Sequence, residues 1–145
     1  MAAEDEVRQA SEQFYAALNR ALDGDSSPMK EIWSHGSDVS AMHPFGSRML
    51  GWEEVGASWE QAAQAFSGGQ VALDEMVVVP ITEDAAYTLG TEHGEARIGE
   101  QTVGIEWRVT NIYRREADGW KIVHHHTDFS SEVAQAVGID RKSVV

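Results

Sequence analysis

Apolar side chains recur at Val7, Ala10, Phe14, Leu18 and Ala21, the three-and-four spacing that lays one stripe along a helix. Acidic residues crowd its first turn, where the helix dipole favours them, and Asp23-Gly24 supplies a stop. Ser27 followed by Pro28 reads as an N-cap with proline at the first helical position, opening a short helix that carries Met29, Ile32 and Trp33 on one side. Ser34-His35-Gly36 ends it. A short strand over 38–42 runs into His43-Pro44-Phe45-Gly46, where proline and glycine force a turn, and 48–50 can pair behind it. Gly51 opens a third helix: Trp52, Val55, Trp59, Ala62 and Phe66 face one way, Glu53, Glu54, Glu60 and Gln64 the other, and Ser67-Gly68-Gly69 terminates it.

From residue 70 the period changes. Four long stretches rich in β-branched and aromatic residues, 70–79, 85–97, 102–115 and 120–129, are separated by the turns Glu83-Asp84, Gly99-Glu100 and Asp118-Gly119. Three helices followed by hairpin-connected strands predict an α+β fold, with helices packed on one face of a curved, mostly antiparallel sheet. Residues 132–145 read as a tail, with a short helix through Val137. Because strands alternate faces, parity sorts the side chains. Ile105, Trp107, Val109, Asn111 and Tyr113 are the more apolar set of the third long strand and are expected inward. In the last strand Trp120 and Ile122 are expected to take His124, His126 and Asp128 inward with them, leaving His125, like His35, at the surface. In the second, the larger set Tyr87, Leu89, Thr91 and His93 is expected inward. Roofed by Trp33 and Trp59, these groups would enclose an aromatic cavity suited to a small hydrophobic or aromatic molecule.

Composition narrows the function classes. The 145 residues carry 24 Asp plus Glu against 11 Lys plus Arg, a net charge of -13, so the field repels phosphate backbones and anionic membrane surfaces. Nucleic-acid binding is not expected. No cysteine is present, which excludes thiol catalysis, disulfides and zinc-thiolate sites. The longest apolar run, Met76-Val77-Val78-Val79, stops at Pro80, far short of the roughly 20 residues that cross a bilayer. The start, Met1-Ala2-Ala3-Glu4-Asp5-Glu6, lacks the basic and apolar stretches of a signal peptide, so a cytoplasmic protein without membrane partners is expected.

The segment Arg108-Val109-Thr110-Asn111-Ile112-Tyr113-Arg114-Arg115, followed by Asp118-Gly119-Trp120-Lys121-Ile122-Val123-His124-His125-His126, resembles the C-terminal hairpin of SnoaL-like proteins of the NTF2-like superfamily. So does Met42-His43-Pro44-Phe45-Gly46 with Gly51-Trp52. The resemblance spans about residues 5 to 130 and implies one SnoaL-like domain with a cone-shaped α+β barrel. It further implies a homodimer joined through the outer sheet face. Superfamily members include isomerases, cyclases, dehydratases and hydrolases as well as non-catalytic binding modules, so fold alone does not select a chemistry. Ketosteroid isomerases in this superfamily use an aspartate base before a Pro-x-Gly turn and an oxyanion hole of tyrosine plus protonated aspartate. Here the base position holds His43, the helix tyrosine falls at Phe14 with Tyr15 adjacent, and the oxyanion aspartate falls near Asn111. Steroid isomerisation by that constellation is therefore not expected.

Candidate chemistry centres on the imidazoles. His43 can act as general base, because imidazole with a pKa of about 6.5 accepts a proton at neutral pH, or it can simply cap its turn. His126 and Asp128, roughly 7 Å apart on one strand face, can form an oriented dyad or a hydrogen-bonded core pair. Asn111 can polarise a substrate oxygen. Tyr15, Trp33, Trp59, Tyr87, His93 and His124 are the candidate ligand-binding residues. The His124-x-His126 spacing also occurs in metal sites, but no metal and no cofactor are expected. Two functions stay open: an isomerase or dehydratase/cyclase acting on a small carbonyl or polyketide-like compound by histidine acid/base chemistry, and a non-catalytic dimeric module that binds a ligand or a protein.

Overall fold

A computed structural model describes residues 2–139. Its elements follow the order read above: α1 (Ala2–Leu22), α2 (Ser27–Ile32), β1 (Ser40–Met42), β2 (Met49–Leu50), α3 (Trp52–Ala65), β3 (Gly69–Thr82), β4 (Ala85–Ile98), β5 (Gln101–Glu116), β6 (Gly119–Thr127) and α4 (Ser131–Val137). The end of the expected tail, 140–145, lies outside the described residues. The strands form one curved, unclosed sheet in the order β2-β1-β6-β5-β4-β3, antiparallel throughout except where β1 runs parallel to β6. This is the cone that the resemblance implies, with α1, α2 and α3 packed into its concave face.

The core follows from the helical stripes. Val7, Phe14, Tyr15, Met29, Val55 and Trp59 are all buried together with Val71, Ile105, Tyr113 and Ile122 of the sheet. Asn19 on α1 clamps the edge strand β3: its Oδ1 accepts from the Val71 amide at 2.7 Å and its Nδ2 donates to the Val71 carbonyl at 3.1 Å. Pro80, which cannot donate to a ladder, sits in β3 because that strand is the sheet's edge. Gly94 marks a close approach of backbones, since a Cβ there would lie 1.9 Å from the Gln70 carbonyl oxygen.

Parity holds in β5, where Ile105, Val109, Asn111 and Tyr113 are buried as expected. In β6 it does not. Tyr113 pairs with Ile122 but Ile112 pairs with His124, so Val123 is an extra residue, a β-bulge that exchanges the faces beyond it. Ile122, His125 and Thr127 are buried, while His126 is exposed and His124 and Asp128 are only half-buried. The expected inward trio is thus on the outer side, and His125, expected at the surface, points in. In β4 small residues and one carboxylate face the helices: Ala86, Thr88 and Ala96 are buried with Glu92, while Tyr87 and His93 lie on the outer face with Leu89. The rings of α1 already fill the concave side, so the bulky set of β4 is excluded from it.

Candidate functional site

Inside the cone is a cavity of about 50 Å³. Leu18 and Leu22 of α1, Trp59, Ala62 and Phe66 on or beside α3, and Val71 and Ile105 of the sheet make its apolar walls. Val133 of α4 closes it, packed with Ala134 against Phe45, Ala62 and Val103. Three titratable side chains enter this apolar space: His43 from the turn after β1, Glu92 from β4 and His125 from β6.

The hydrogen bonds fix the role of each ring nitrogen. Ser58 Oγ donates its only proton to the Val55 carbonyl at 2.6 Å, so it accepts from His43 Nε2–H at 2.8 Å and leaves His43 Nδ1 with the lone pair. Asn111 Nδ2 donates to the Tyr15 hydroxyl at 3.1 Å, which turns Asn111 Oδ1 toward His125. His125 Nδ1–H therefore donates to it at 2.6 Å, and His125 Nε2 carries the lone pair. Tyr15 in turn donates to Glu92 Oε2 at 2.8 Å, and the Trp107 indole donates to Glu92 Oε1 at 2.7 Å. The His43 and His125 rings are 6.1 Å apart, and the Trp59 ring lies 4.7 Å from the first and 5.8 Å from the second.

Burial sets the charges. It pushes His43 down to about 4 and holds His125 well below the usual imidazole range, with His43, His124 and His126 adding to the effect; both rings are neutral at pH 7. Burial also pushes the Glu92 carboxyl up to about 7, against the pull of its bonds from Trp107 and Tyr15. The Trp59 Nε1–H is buried without an acceptor among the described residues. Such an orphan costs about 1–3 kcal/mol and marks a donor that a ligand oxygen can satisfy.

Of the residues singled out from sequence, His43 and Trp59 line this cavity. Asn111 is fully buried behind it, with both amide ends engaged by Tyr15 and His125, so it is not aimed at a substrate oxygen. Tyr15 spends its proton on Glu92, and its ring lines an open groove between α1 and β3 together with His93. Trp33 is core, packed 6.4 Å from both Trp52 and Trp59. Tyr87, His124 and His126 belong to the outer face of the sheet. His124 Nδ1 meets Ser40 Oγ at 2.7 Å. Asp128 makes no dyad with His126; it takes a two-pronged bond from Arg108, with Nε and Nη2 both at 3.0 Å, and the guanidinium holds the carboxyl below its usual range. Sequence reasoning placed Trp107 inward but missed Glu92, Ser58 and the inward turn of His125. The one signal available for Glu92 was a carboxylate sharing parity with Ala86, Thr88, Gly90, Gly94 and Ala96, a small-residue set that marks a strand face covered by helices. Among the described residues no cluster of three or more His, Asp and Glu could hold a metal, and no helix is long and apolar enough to cross a membrane.

A helix-lined cone with an apolar interior and a few convergent polar groups defines the NTF2-like class. Within that class the chain belongs to the SnoaL-like domain family, which matches residues 7–131. Among solved structures it is similar to a candidate dehydratase of the NTF2-like family from Streptomyces avermitilis, at 26% identity over 90% of this chain and 97% of that one, with a TM-score of 0.75. It is also similar to a candidate calcium/calmodulin-dependent protein kinase type II association domain from Thiobacillus denitrificans, at 28% identity, 84% and 93% coverage and a TM-score of 0.67. An NTF2-like protein from Salmonella enterica superposes with a TM-score of 0.76 at 17% identity, covering 90% of this chain and 92% of that one, a likeness of fold alone. No curated protein matches the sequence.

Proposed function

We propose that this single SnoaL-like domain binds a small, partly apolar carbonyl compound in the cone and moves a proton on it, as an isomerase or dehydratase. The observation that carries the reading is the pair of neutral imidazoles facing one small apolar cavity. Each has one nitrogen held by a protein partner and the other carrying a lone pair. Such a lone pair can take a proton from the carbon next to the carbonyl; the C–H electrons become the enol double bond and the carbonyl π electrons move to oxygen. The Trp59 Nε1–H is the donor for that oxygen. Returning the proton to a different carbon isomerises the compound. Delivering it to a β-hydroxyl that leaves as water dehydrates it. The dehydratase description of the Streptomyces relative agrees with this chemistry.

The cavity is below the 300 Å³ or more typical of drug-sized ligands, so the compound is small or α4 moves aside on binding. A test that needs no named substrate is hydrogen exchange at the α-carbons of a panel of small cyclic ketones and enones in D2O, followed by proton NMR. Exchange above the buffer rate that falls by about 10²-fold in His43→Gln and His125→Gln, with the far-ultraviolet dichroism unchanged, is the expected result. Saturable binding without exchange would instead identify a non-catalytic ligand-binding module.

The outer face supports the homodimer. Val77 pairs with Leu89, Val79 with Tyr87 and Tyr87 with Ile112, a continuous apolar stripe in which Val77 is 51% and Leu89 41% exposed. Burying it against a second copy removes it from water.

A further inference from the structure

Proton transfer by His125 leaves unused the buried chain behind it, in which three bonds run one way, from His125 to Glu92, and a fourth meets Glu92 from the far side. His125 Nδ1–H donates to Asn111 Oδ1, Asn111 Nδ2–H to Tyr15, Tyr15 O–H to Glu92 Oε2, and Trp107 Nε1–H closes the far side at Glu92 Oε1. We propose that the Glu92 carboxylate is a positioning residue: acting through Tyr15 and Asn111, it decides which nitrogen of His125 presents a lone pair to the cavity. This rests on the reading of His125 as a proton acceptor.

The number of protons available along the chain fixes its direction. An ionised carboxylate only accepts, so the single Tyr15 proton goes to Glu92 and the Tyr15 oxygen is left to accept. What it accepts is Asn111 Nδ2–H, which fixes the amide with Oδ1 toward His125. An amide oxygen only accepts, so His125 donates from Nδ1 and its lone pair lies on Nε2. When Glu92 gains a proton it can donate to Tyr15. The Tyr15 proton is then free to turn to the amide, the amide can invert, and His125 can accept at Nδ1 while carrying its proton on Nε2. The lone pair is withdrawn from the cavity. The same polarity makes Nε2 more basic while Glu92 is charged, because every donor in the chain leans toward a negative end.

Other titratable groups face this chain. Tyr15 of α1 and Tyr113 of β5 act on or near Glu92. His43, from the turn after β1, and His124 and His126 of β6 act on His125. Tyr15 and Tyr113 are both pushed up by burial and stay protonated, and His43 titrates near 4. A change in His125 near neutral pH is therefore assigned to Glu92 by the variants below.

The test is long-range nitrogen–proton NMR of the histidine rings from pH 6 to 8.5, which reads the tautomer directly. In the wild type the His125 signals should be those of the Nδ1–H form at high pH and shift toward Nε2–H as pH falls through about 7, the range to which burial raises Glu92. Glu92→Gln should abolish that step, and so should Tyr15→Phe, which leaves the carboxylate in place and cuts the chain. The Glu92→Asp variant, keeping the charge, should retain a step. A His125 tautomer that is the same in all four proteins across the range overturns the proposal even if ketone exchange is present. Absence of exchange in a wild type that shows the step would overturn the catalytic reading and leave the coupling intact. If Glu92→Gln does not fold, Tyr15→Phe decides alone.

Discussion

Glu92 and His43 sit in one cavity with pKa values displaced in opposite directions, and their effects on stability oppose each other. His43 is held at about 4 while an unfolded imidazole titrates at about 6.5. Between these values the unfolded chain binds the proton and the folded one does not, so stability falls as pH falls through the window, by ~3 kcal/mol in all. His125, also pushed down by burial, acts in the same sense. Glu92 is raised from 4.5 to about 7, so in that interval the folded state holds a proton that the unfolded state has lost, and stability rises as pH falls. Urea titrations of Glu92→Gln should therefore lose stability with acid more steeply than wild type between pH 6.5 and 4.5, by about 1 kcal/mol per pH unit. Parallel slopes would mean that Glu92 does not titrate there. Asn19 offers a separate test. Asn19→Ala leaves the Val71 N–H and C=O unmatched at a half-buried edge and should cost about 1–3 kcal/mol in the same assay with no change in the histidine NMR signals.

At the scale of elements, the bulge in β6 and the helix α4 decide what the cavity contains. Val123 is the residue that breaks register. Deleting it would carry either Ile122 or His125 to the wrong face, replacing a buried group with a misplaced one. A loss of more than about 4 kcal/mol in denaturation, or failure to fold, is expected. Full retention of stability would show that the strand tolerates a regular ladder. Alternation along 120–129 was legible in the sequence, but the bulge was not: Trp120-Lys121-Ile122-Val123 contains no glycine to announce it, and the extra residue is fixed by partners on β5 and β1. The helix α4, by contrast, was legible in outline. Ser130 Oγ accepts from the Val133 amide as its cap, and Gly138 ends it in the left-handed conformation. Its role as the cavity's cover was not, because Val133 meets Phe45 and Val103 only in three dimensions. Val133→Asp sets a charge against that apolar patch. It should increase the fluorescence of an apolar dye and amide exchange in α4, while β5 remains protected.

For the whole molecule the two faces of the sheet have separate roles, one around the cavity and one presenting the Val77, Leu89, Tyr87 and Ile112 stripe. Leu89→Glu adds a charge to that stripe in a protein already at -13. Sedimentation velocity should show a dimer in the wild type and a monomer in the variant, with the cavity histidine signals unmoved. Raising salt should strengthen the wild-type dimer, since it screens the repulsion between two acidic copies. A wild type that sediments as a monomer at all salt concentrations would remove the dimer from the account.

By itself the amino-acid sequence determined the element order, the helical stripes, the inward set of β5, the cysteine-free acidic character and the turn that carries His43. These depend on neighbours within a few residues, where period and turn chemistry act. Tertiary structure alone decided that His125 rather than His124 and His126 enters the cone, that Asp128 serves Arg108, that Asn111 is held behind the cavity, and that Glu92 is the buried acid. Each of those outcomes turns on strand register and on which side of the sheet the helix rings already occupy. Both are settled by contacts between residues tens of positions apart, such as Tyr15 with Glu92 and Asn111 with Tyr15, and local periodicity carries no record of them.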